Sequence, residues 1–258
     1  MDSDQLRARL ESIALPALRW YDQTGSTNLD ALQWASEGAP DGALVAADRQ
    51  AAGRGRMGRS WVTHAGVALA FSLILRPSAL ELSHTSLFSP LGALGVAQAL
   101  EGLGLRPQIK WPNDVLLNRS KTCGILAETA WTGQTLDALV LGVGVNVAPS
   151  SVPPATELLF PATCVEAGLG RGVDRFSLMA AILREIFAMR PFLGKEEFFQ
   201  AWESRLAFRG EAVVVHRPGK ETLAGELLGI DANGGLRIRS AGREINILAG
   251  DVHLRPQP

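Results

Sequence analysis

Cysteine is scarce in this chain of 258 residues, which carries only Cys123 and Cys164. Two cysteines build neither a disulfide framework nor a metal site with paired ligands, and they suit a reducing compartment. Histidine is as thin: His64, His84, His216 and His253 are scattered, and their spacing suggests no metal centre. An excess of one charge is also missing. With 25 Lys and Arg against 26 Asp and Glu the formal charge is −1, which excludes a nucleic-acid binder working through bulk positive charge. No apolar run reaches the roughly 18 residues of a membrane span. The acidic start MDSDQLRARLESI is not a basic-then-apolar signal. There is no long repeat and no low-complexity stretch. What is left is an ordinary globular composition, 47% hydrophobic and 20% charged, pointing to a cytoplasmic protein of one or two domains.

Apolar periodicity then outlines the elements. Ser3 is placed to cap a short helix carrying Leu6, Leu10 and Ile13, and residues 18–22 follow as a strand. Ser26 and Thr27 precede a helix over about 28–37 that Gly38 and Pro40 end. Residues 43–47 and 67–75 read as buried strands, a helix rich in Gly and Ala begins near Ser86, and 176–189 and 195–206 read as amphipathic helices. In 139–147 the period of two puts Leu139, Leu141, Val143, Val145 and Val147 on one side and Gly142, Gly144 and Asn146 on the other. Glycine weakens a strand, and one accepted reason for it is close approach of a ligand, so the second side is a candidate ligand floor. After Arg209 short alternating strands are cut by Pro218-Gly219, Asn233-Gly234-Gly235 and Ala241-Gly242, the pattern of a small barrel. The boundary is expected near residue 208.

Two segments concentrate polar chemistry. KWPNDVLLNRSKTCGILAE at 110–128 sets Lys110, Asn113, Asp114, Lys121 and Glu128 on a hairpin of strands over 115–117 and 121–127, after a turn favoured by Pro112. Two lysines beside an Asn-Asp corner suggest anion handling at fixed geometry. Three residues of this segment keep two readings. Asp114 serves the anion or caps the turn; Cys123 faces the site or is inert; Glu128 pairs with a lysine or ends the strand. Trp111 reads as packing. In DRQAAGRGRMGRSW at 48–61, Gly53, Gly55 and Gly58 formally fit the dinucleotide fingerprint, but that fingerprint must open a helix and Ser60-Trp61-Val62-Thr63 heads for a strand. The better reading is a loop presenting Arg54, Arg56 and Arg59 to carboxylate or phosphate oxygens, ordered when an anionic ligand arrives.

In order and spacing, GSTN at 25–28, QAAGRGRMGR at 50–59, KWPND at 110–114, KTCGIL at 121–126 and GVGVN at 142–146 resemble the motifs of bacterial biotin–protein ligases. The resemblance covers nearly the whole chain. It implies an α+β fold, with a mixed-sheet biotin/lipoate ligase-like catalytic domain over 1–208 and a small SH3-like β-barrel over 209–258. It implies a reaction in which the biotin carboxylate attacks the α-phosphate of ATP and a lysine of an acceptor protein then attacks the adenylate. Because GSTN begins at residue 25, the winged helix-turn-helix of the members that act as repressors has no room. The monofunctional type, without DNA binding, is therefore expected.

By resemblance, Ser26, Thr27, Asn28 and Gln50 lie at biotin, and Arg54, Gly55 and Arg56 belong to the loop that closes over biotin and the adenylate. Trp61 is placed to pack near adenine, either there or as ordinary core, with Asn113, Asn146 and Arg59 also on the ATP side. Lys121 is placed at the reacting carboxylate and phosphate, and Lys110 and Asp114 beside the phosphates. Lys121, Arg56, Lys110 and Asp114 are thus the expected catalytic set. Mg²⁺ travels with the ATP phosphates, and Asp114 is the candidate protein ligand for it. Met57 departs from the pattern, standing where the family often has another arginine. The implied partners are apo biotin carboxyl carrier protein and a second copy of the chain, with no membrane and no DNA. A lipoate–protein ligase shares the fold, and the glycine–arginine loop and KWPND favour biotin over it. A non-catalytic biotin-sensing regulator is disfavoured by the near-neutral charge.

Overall fold

The computed structural model describes residues 2–158, 160–216, 222–248 and 253–256. Helix α1 (Asp2–Leu10) buries Leu6 and Leu10, and Ser3 lies inside this helix instead of capping it. Strand β1 (Leu18–Thr24), helix α2 (Thr27–Ser36) and strand β2 (Leu44–Gln50) form a crossover unit, which is why β1 and β2 run parallel. Next come β3 (Ala68–Leu75), α3 (Phe88–Gly102), β4 (Gln108–Lys110), β5 (Asp114–Leu117), β6 (Ser120–Thr132) and β7 (Thr135–Asn146). Their pairings are all antiparallel, giving a mixed seven-stranded sheet of order β1-β2-β3-β7-β6-β5-β4.

Helices α4 (Val165–Leu169), α5 (Arg175–Met189) and α6 (Glu196–Glu203) follow. Asp174 caps α5 by accepting from the backbone N–H groups of Phe176 and Ser177. Strands β8 (Ala212–His216), β9 (Leu223–Ile230), β10 (Leu236–Ser240), β11 (Arg243–Ile247) and β12 (His253–Pro256) then pair antiparallel in the order β11-β10-β9-β8-β12. This small C-terminal sheet fits an SH3-like unit. The expected break at Pro218-Gly219 lies outside the described residues. Among the described residues no helix is long and apolar enough to cross a membrane.

The two-faced strand is as the alternation requires. Leu139, Leu141, Val143 and Val145 of β7 are buried in the core that holds α3 and α5. Ala138 and Val140 face the other way, in a smaller cluster with Ala31 and Ala35 of α2. That cluster ends where β7 turns to glycine. Beyond it, Gly142 pairs with Ser72 and Leu126, and Gly144 with Ala70 and Gly124, so a glycine strip continues the face past the start of α2.

The outer edge of β4 is braced by the chain leading into the C-terminal unit, and the residue after β4 by that unit itself. Ile109 N–H donates to the Arg205 carbonyl at 2.7 Å and Ala207 N–H to the Ile109 carbonyl at 2.9 Å. One residue beyond Lys110, the buried Trp111 indole Nε1 donates to the Gly234 carbonyl at 2.9 Å. That carbonyl sits in a turn held by Asp231, whose Oδ1 accepts from the N–H groups of Asn233 and Gly235, each at 2.8 Å. Trp111→Phe keeps most of the apolar contact but leaves the buried Gly234 carbonyl without its donor. It should lower unfolding free energy by about 1–3 kcal/mol in urea titration; an unchanged midpoint would refute the brace.

Candidate active site

The first turn of α2 rests on the glycine strip. Thr27 donates its N–H and its Oγ1 hydroxyl to Gln50 Oε1 at 2.9 and 3.0 Å, which joins the helix start to the end of β2. Gln50 Nε2 in turn donates to Thr63 Oγ1 at 3.2 Å. The Asn28 side chain lies directly over Gly142, where an added Cβ would stand 2.0 Å from Asn28 Oδ1. Only glycine leaves room for it. Ser72 Oγ lies within donating reach of Thr27 Oγ1 at 2.8 Å and Asn28 Oδ1 at 2.6 Å, and it is fully buried. Sequence reasoning missed Ser72, although a lone hydroxyl inside the otherwise apolar strand ALAFSLIL was the available signal.

The glycine–arginine loop is folded as a narrow arch. Trp61 N–H donates to the Gly53 carbonyl at 2.8 Å and Gly55 N–H to the Arg59 carbonyl at 2.7 Å, with a turn at Arg56–Gly58 between them. Met57 takes the turn's positive φ of 60° and is exposed, so the position that departs from the family pattern is the tip of the arch, at the rim of the cavity beneath it. The arch leads into β3, consistent with rejection of the dinucleotide reading. Arg54 Nη2 pairs with Glu128 Oε1 at 3.0 Å, and Arg56 Nη1 donates to Asn113 Oδ1 at 3.4 Å. Trp61 comes down on the strip one step beyond Asn28: a Cβ on Gly144 would meet its indole at 2.4 Å. The bare backbone expected as a ligand floor is therefore covered by the protein's own Asn28 and Trp61, which form the surface in its place.

The hairpin builds a buried ion cluster. Lys110 ends β4 and Asp114 starts β5, and the two are register partners. Lys110 Nζ reaches Asp114 Oδ2 at 3.1 Å, and Lys121 Nζ, from β6, reaches Asp114 Oδ1 at 2.6 Å. Lys110 also lies 4.8 Å from the Phe160 ring centre and Lys121 5.5 Å from that of Trp61. The Lys121 backbone is pinned from outside, its N–H donating to the Pro161 carbonyl at 2.7 Å while its carbonyl accepts from Thr163 N–H at 2.9 Å. Burial pushes the Asp114 carboxyl up, but Lys121 and then Lys110 outweigh it and hold the carboxyl down at about 2.

Two cavities adjoin at this cluster. One is lined by Ser26, Thr27, Asn28, Gln50, Arg54, Gly55, Arg56 and Asn113. The other, about 450 Å³, is lined by Asn146, Glu157, Leu158, Phe160 and Ala162 and lies in the roughly 300–1,000 Å³ range of small-molecule sites. Lys110, Asp114, Lys121, Arg59 and Trp61 line both. Every residue expected at biotin, at ATP or in the catalytic set thus lines one cavity or the other, but Asn113 and Asn146 separate. Asn113 Nδ2 donates to the Ile125 carbonyl at 2.6 Å beside the first cavity, and Asn146 Nδ2 to the Thr163 carbonyl at 3.1 Å beside the second. Cys123 does not face the site. It belongs to the core under α3, and burial pushes its thiol well above the usual range. Glu128 pairs with Arg54 and Asn28 and has no lysine partner among the described residues. Among the described residues no three His, Cys, Asp or Glu side chains gather to hold a metal ion.

The lowered Asp114 pKa has a signed consequence. A carboxyl held below its ordinary 3.8 contributes stability above that pH, and the contribution is lost as pH falls towards about 2. In unfolding titrations, Asp114→Asn should cost on the order of 2 kcal/mol near neutral pH. The gap to the wild type should close between about pH 4 and about pH 2. A gap that stays constant with pH would refute the ion cluster.

Residues 20–146 match the family described as the biotin/lipoate A/B protein ligase family. A biotin–[acetyl-CoA-carboxylase] ligase of Paracoccus denitrificans is 38% identical over 86% of this chain and 95% of its own length. A second, from Mycobacterium tuberculosis, is 36% identical over 90% of this chain and 87% of its own. The structure of a biotin protein ligase from Aquifex aeolicus in complex with biotin and ATP superposes with a TM-score of 0.82, at 30% identity, over 94% of this chain and 100% of that one. With its five motifs gathered around one ion cluster and relatives matched over nearly their whole length, this chain belongs to the biotin–protein ligases of the biotin/lipoate A/B protein ligase family.

Proposed function

We propose that the chain is an ATP-dependent biotin–protein ligase that makes biotinyl-5′-AMP and passes biotin to a lysine of a biotin carboxyl carrier domain. The observation that carries this reading is the position of Lys121, whose ammonium lines both cavities. One cavity takes the acid and the other the nucleotide. The carboxylate of the first substrate and the α-phosphate of the second then meet at Lys121, and pyrophosphate leaves. Two ammonium groups share one carboxylate here, so the cluster keeps net positive charge where the phosphoryl oxygens gain negative charge. Asp114 holds both cations in place before the reactants arrive, and no reorganisation is then needed as charge develops.

The acid pocket suits a ureido ring. Thr27, Asn28 and Gln50 present hydroxyl and amide groups in a network anchored by Ser72, and a dithiolane ring offers nothing to hydrogen-bond with them. Trp61 lines both cavities, its buried indole Nε1 set close over Gly144 with no hydrogen-bond acceptor among the described residues. On the nucleotide side, Asn146, Arg59 and Trp61 line the larger cavity. Asn113, by its contacts with Arg56 and Ile125, is assigned to holding the arch over the acid pocket. Mg²⁺ fits as an ion brought by the ATP phosphates. Both Asp114 oxygens face lysine ammonium groups, so the cluster does not suit a protein-held Mg²⁺ and Asp114 is assigned to lysine positioning.

Incubation of the protein with biotin, ATP, Mg²⁺ and an apo carrier domain should release pyrophosphate and label the carrier. Lys121→Ala should lower biotin-dependent pyrophosphate release by roughly 10²–10³-fold, the usual effect of removing one preorganised donor. Labelling by lipoate and not by biotin would overturn the substrate assignment, and full activity in Lys121→Ala would overturn the role of the lysine.

A further inference from the structure

Glu128 has no part in the chemistry above, yet its carboxylate touches both halves of the acid pocket. Oε2 accepts from Asn28 Nδ2 at 2.8 Å, and Oε1 pairs with Arg54 Nη2 at 3.0 Å. Asn28 belongs to the first turn of α2, on the pocket floor, whereas Arg54 belongs to the arch above it. The Asn28 amide cannot turn round. Its Oδ1 lies 2.6 Å from the Ser72 hydroxyl and its Nδ2 donates to the Leu126 carbonyl at 3.2 Å, so the NH₂ edge is committed towards Glu128. Held from below in this way, the carboxylate is a prearranged acceptor for a guanidinium descending from the loop. The Glu128 side chain is only 20% exposed where Arg54 is 44% exposed, as expected for a fixed receptor and a movable arm.

We propose that Glu128 is a positioning residue, the latch that ties the glycine–arginine arch to the floor of the acid pocket through Arg54. The inference rests on the ligase reading, in which the adenylate forms beneath that arch. Release of the adenylate requires the arch to lift, and lifting breaks the Arg54–Glu128 pair. Adenylation itself does not. The latch therefore acts on how long the intermediate is retained and leaves the chemical step alone.

Glu128→Gln is isosteric and tests this directly. A carboxamide cannot accept on both sides: turned either way, it sets an NH₂ group against Asn28 Nδ2 or against the guanidinium. In a chase of preformed biotinyl-5′-AMP from the full-length protein, Glu128→Gln should raise the dissociation rate roughly fivefold, with kcat for pyrophosphate formation and KM for ATP unchanged. Adding Glu128→Gln to an Arg54→Gln background should then change the off-rate no further, because the same contact is already gone. Without any ligand, trypsin should cut after Arg54 and Arg56 faster in Glu128→Gln than in the wild type at an equal thermal midpoint, a readout that general destabilisation does not produce. A wild-type off-rate, or unchanged cleavage at those two sites, overturns the latch while leaving the ligase reading intact. A wild-type protein that retains no adenylate overturns the ligase reading and the latch with it.

Discussion

The Asp114 carboxylate, clasped between Lys110 and Lys121, is the contact on which the site is organised. Ions buried this far lose hydration, and the loss is offset only when geometry is fixed and each charge has a partner. The fold supplies that geometry from three strands: β4 brings Lys110, β5 brings Asp114 and β6 brings Lys121. Two of the three strands are held by something beyond their own pairing. The chain at Arg205 and Ala207 zips onto β4, and Pro161 and Thr163 grip Lys121. The result is a pair of cations held on either side of one carboxylate, at the junction of two cavities.

The second constraint is how closely side chains can approach the sheet. Where β7 carries Val140, α2 packs through alanines; where it carries Gly142 and Gly144, polar and aromatic groups come down almost to the backbone. Asn28 and Trp61 thereby reach a depth that no strand residue with a Cβ would allow. Asn28 gains its partners there, Ser72 and the Leu126 carbonyl, and the amide is fixed before any ligand arrives. A fully satisfied buried polar network of this kind is rigid, and rigidity is what a recognition surface for a small heterocycle requires.

The C-terminal sheet takes part in the same arrangement. Through the turn at Asp231–Gly235 it receives the Trp111 indole, next in the chain to Lys110, and through Glu211 it pairs with Arg119 at 2.8 Å from the hairpin turn. The small unit therefore touches the lysine-bearing hairpin and its approach at two places. Neither contact is visible in either segment alone, since the partners are separated by 123 and 92 residues.

Much was legible from local pattern, because period and turn chemistry act within a few residues. Alternation in 139–147 revealed which side of β7 is core, Pro112 and Asn118 to Ser120 marked the turns of the hairpin, and the ordered motifs brought Lys121, Arg56 and Gln50 to one place. Pattern could not say what stands on the glycines. A glycine records that something comes close but not which distant side chain does so, and here Asn28 and Trp61 answered where a ligand had been expected. Ser72 and Glu128 were passed over or misjudged for the same reason, for their partners Thr27, Asn28 and Arg54 lie on other elements. Sequence alone determined the element types, the barrel-like tail and which polar segments come together, all properties of short-range sterics and side-chain chemistry. Only tertiary structure decided which cation meets which carboxylate, how deep each is buried and which cavity each asparagine serves, because charge pairing and desolvation depend on distances that the chain closes only when it folds.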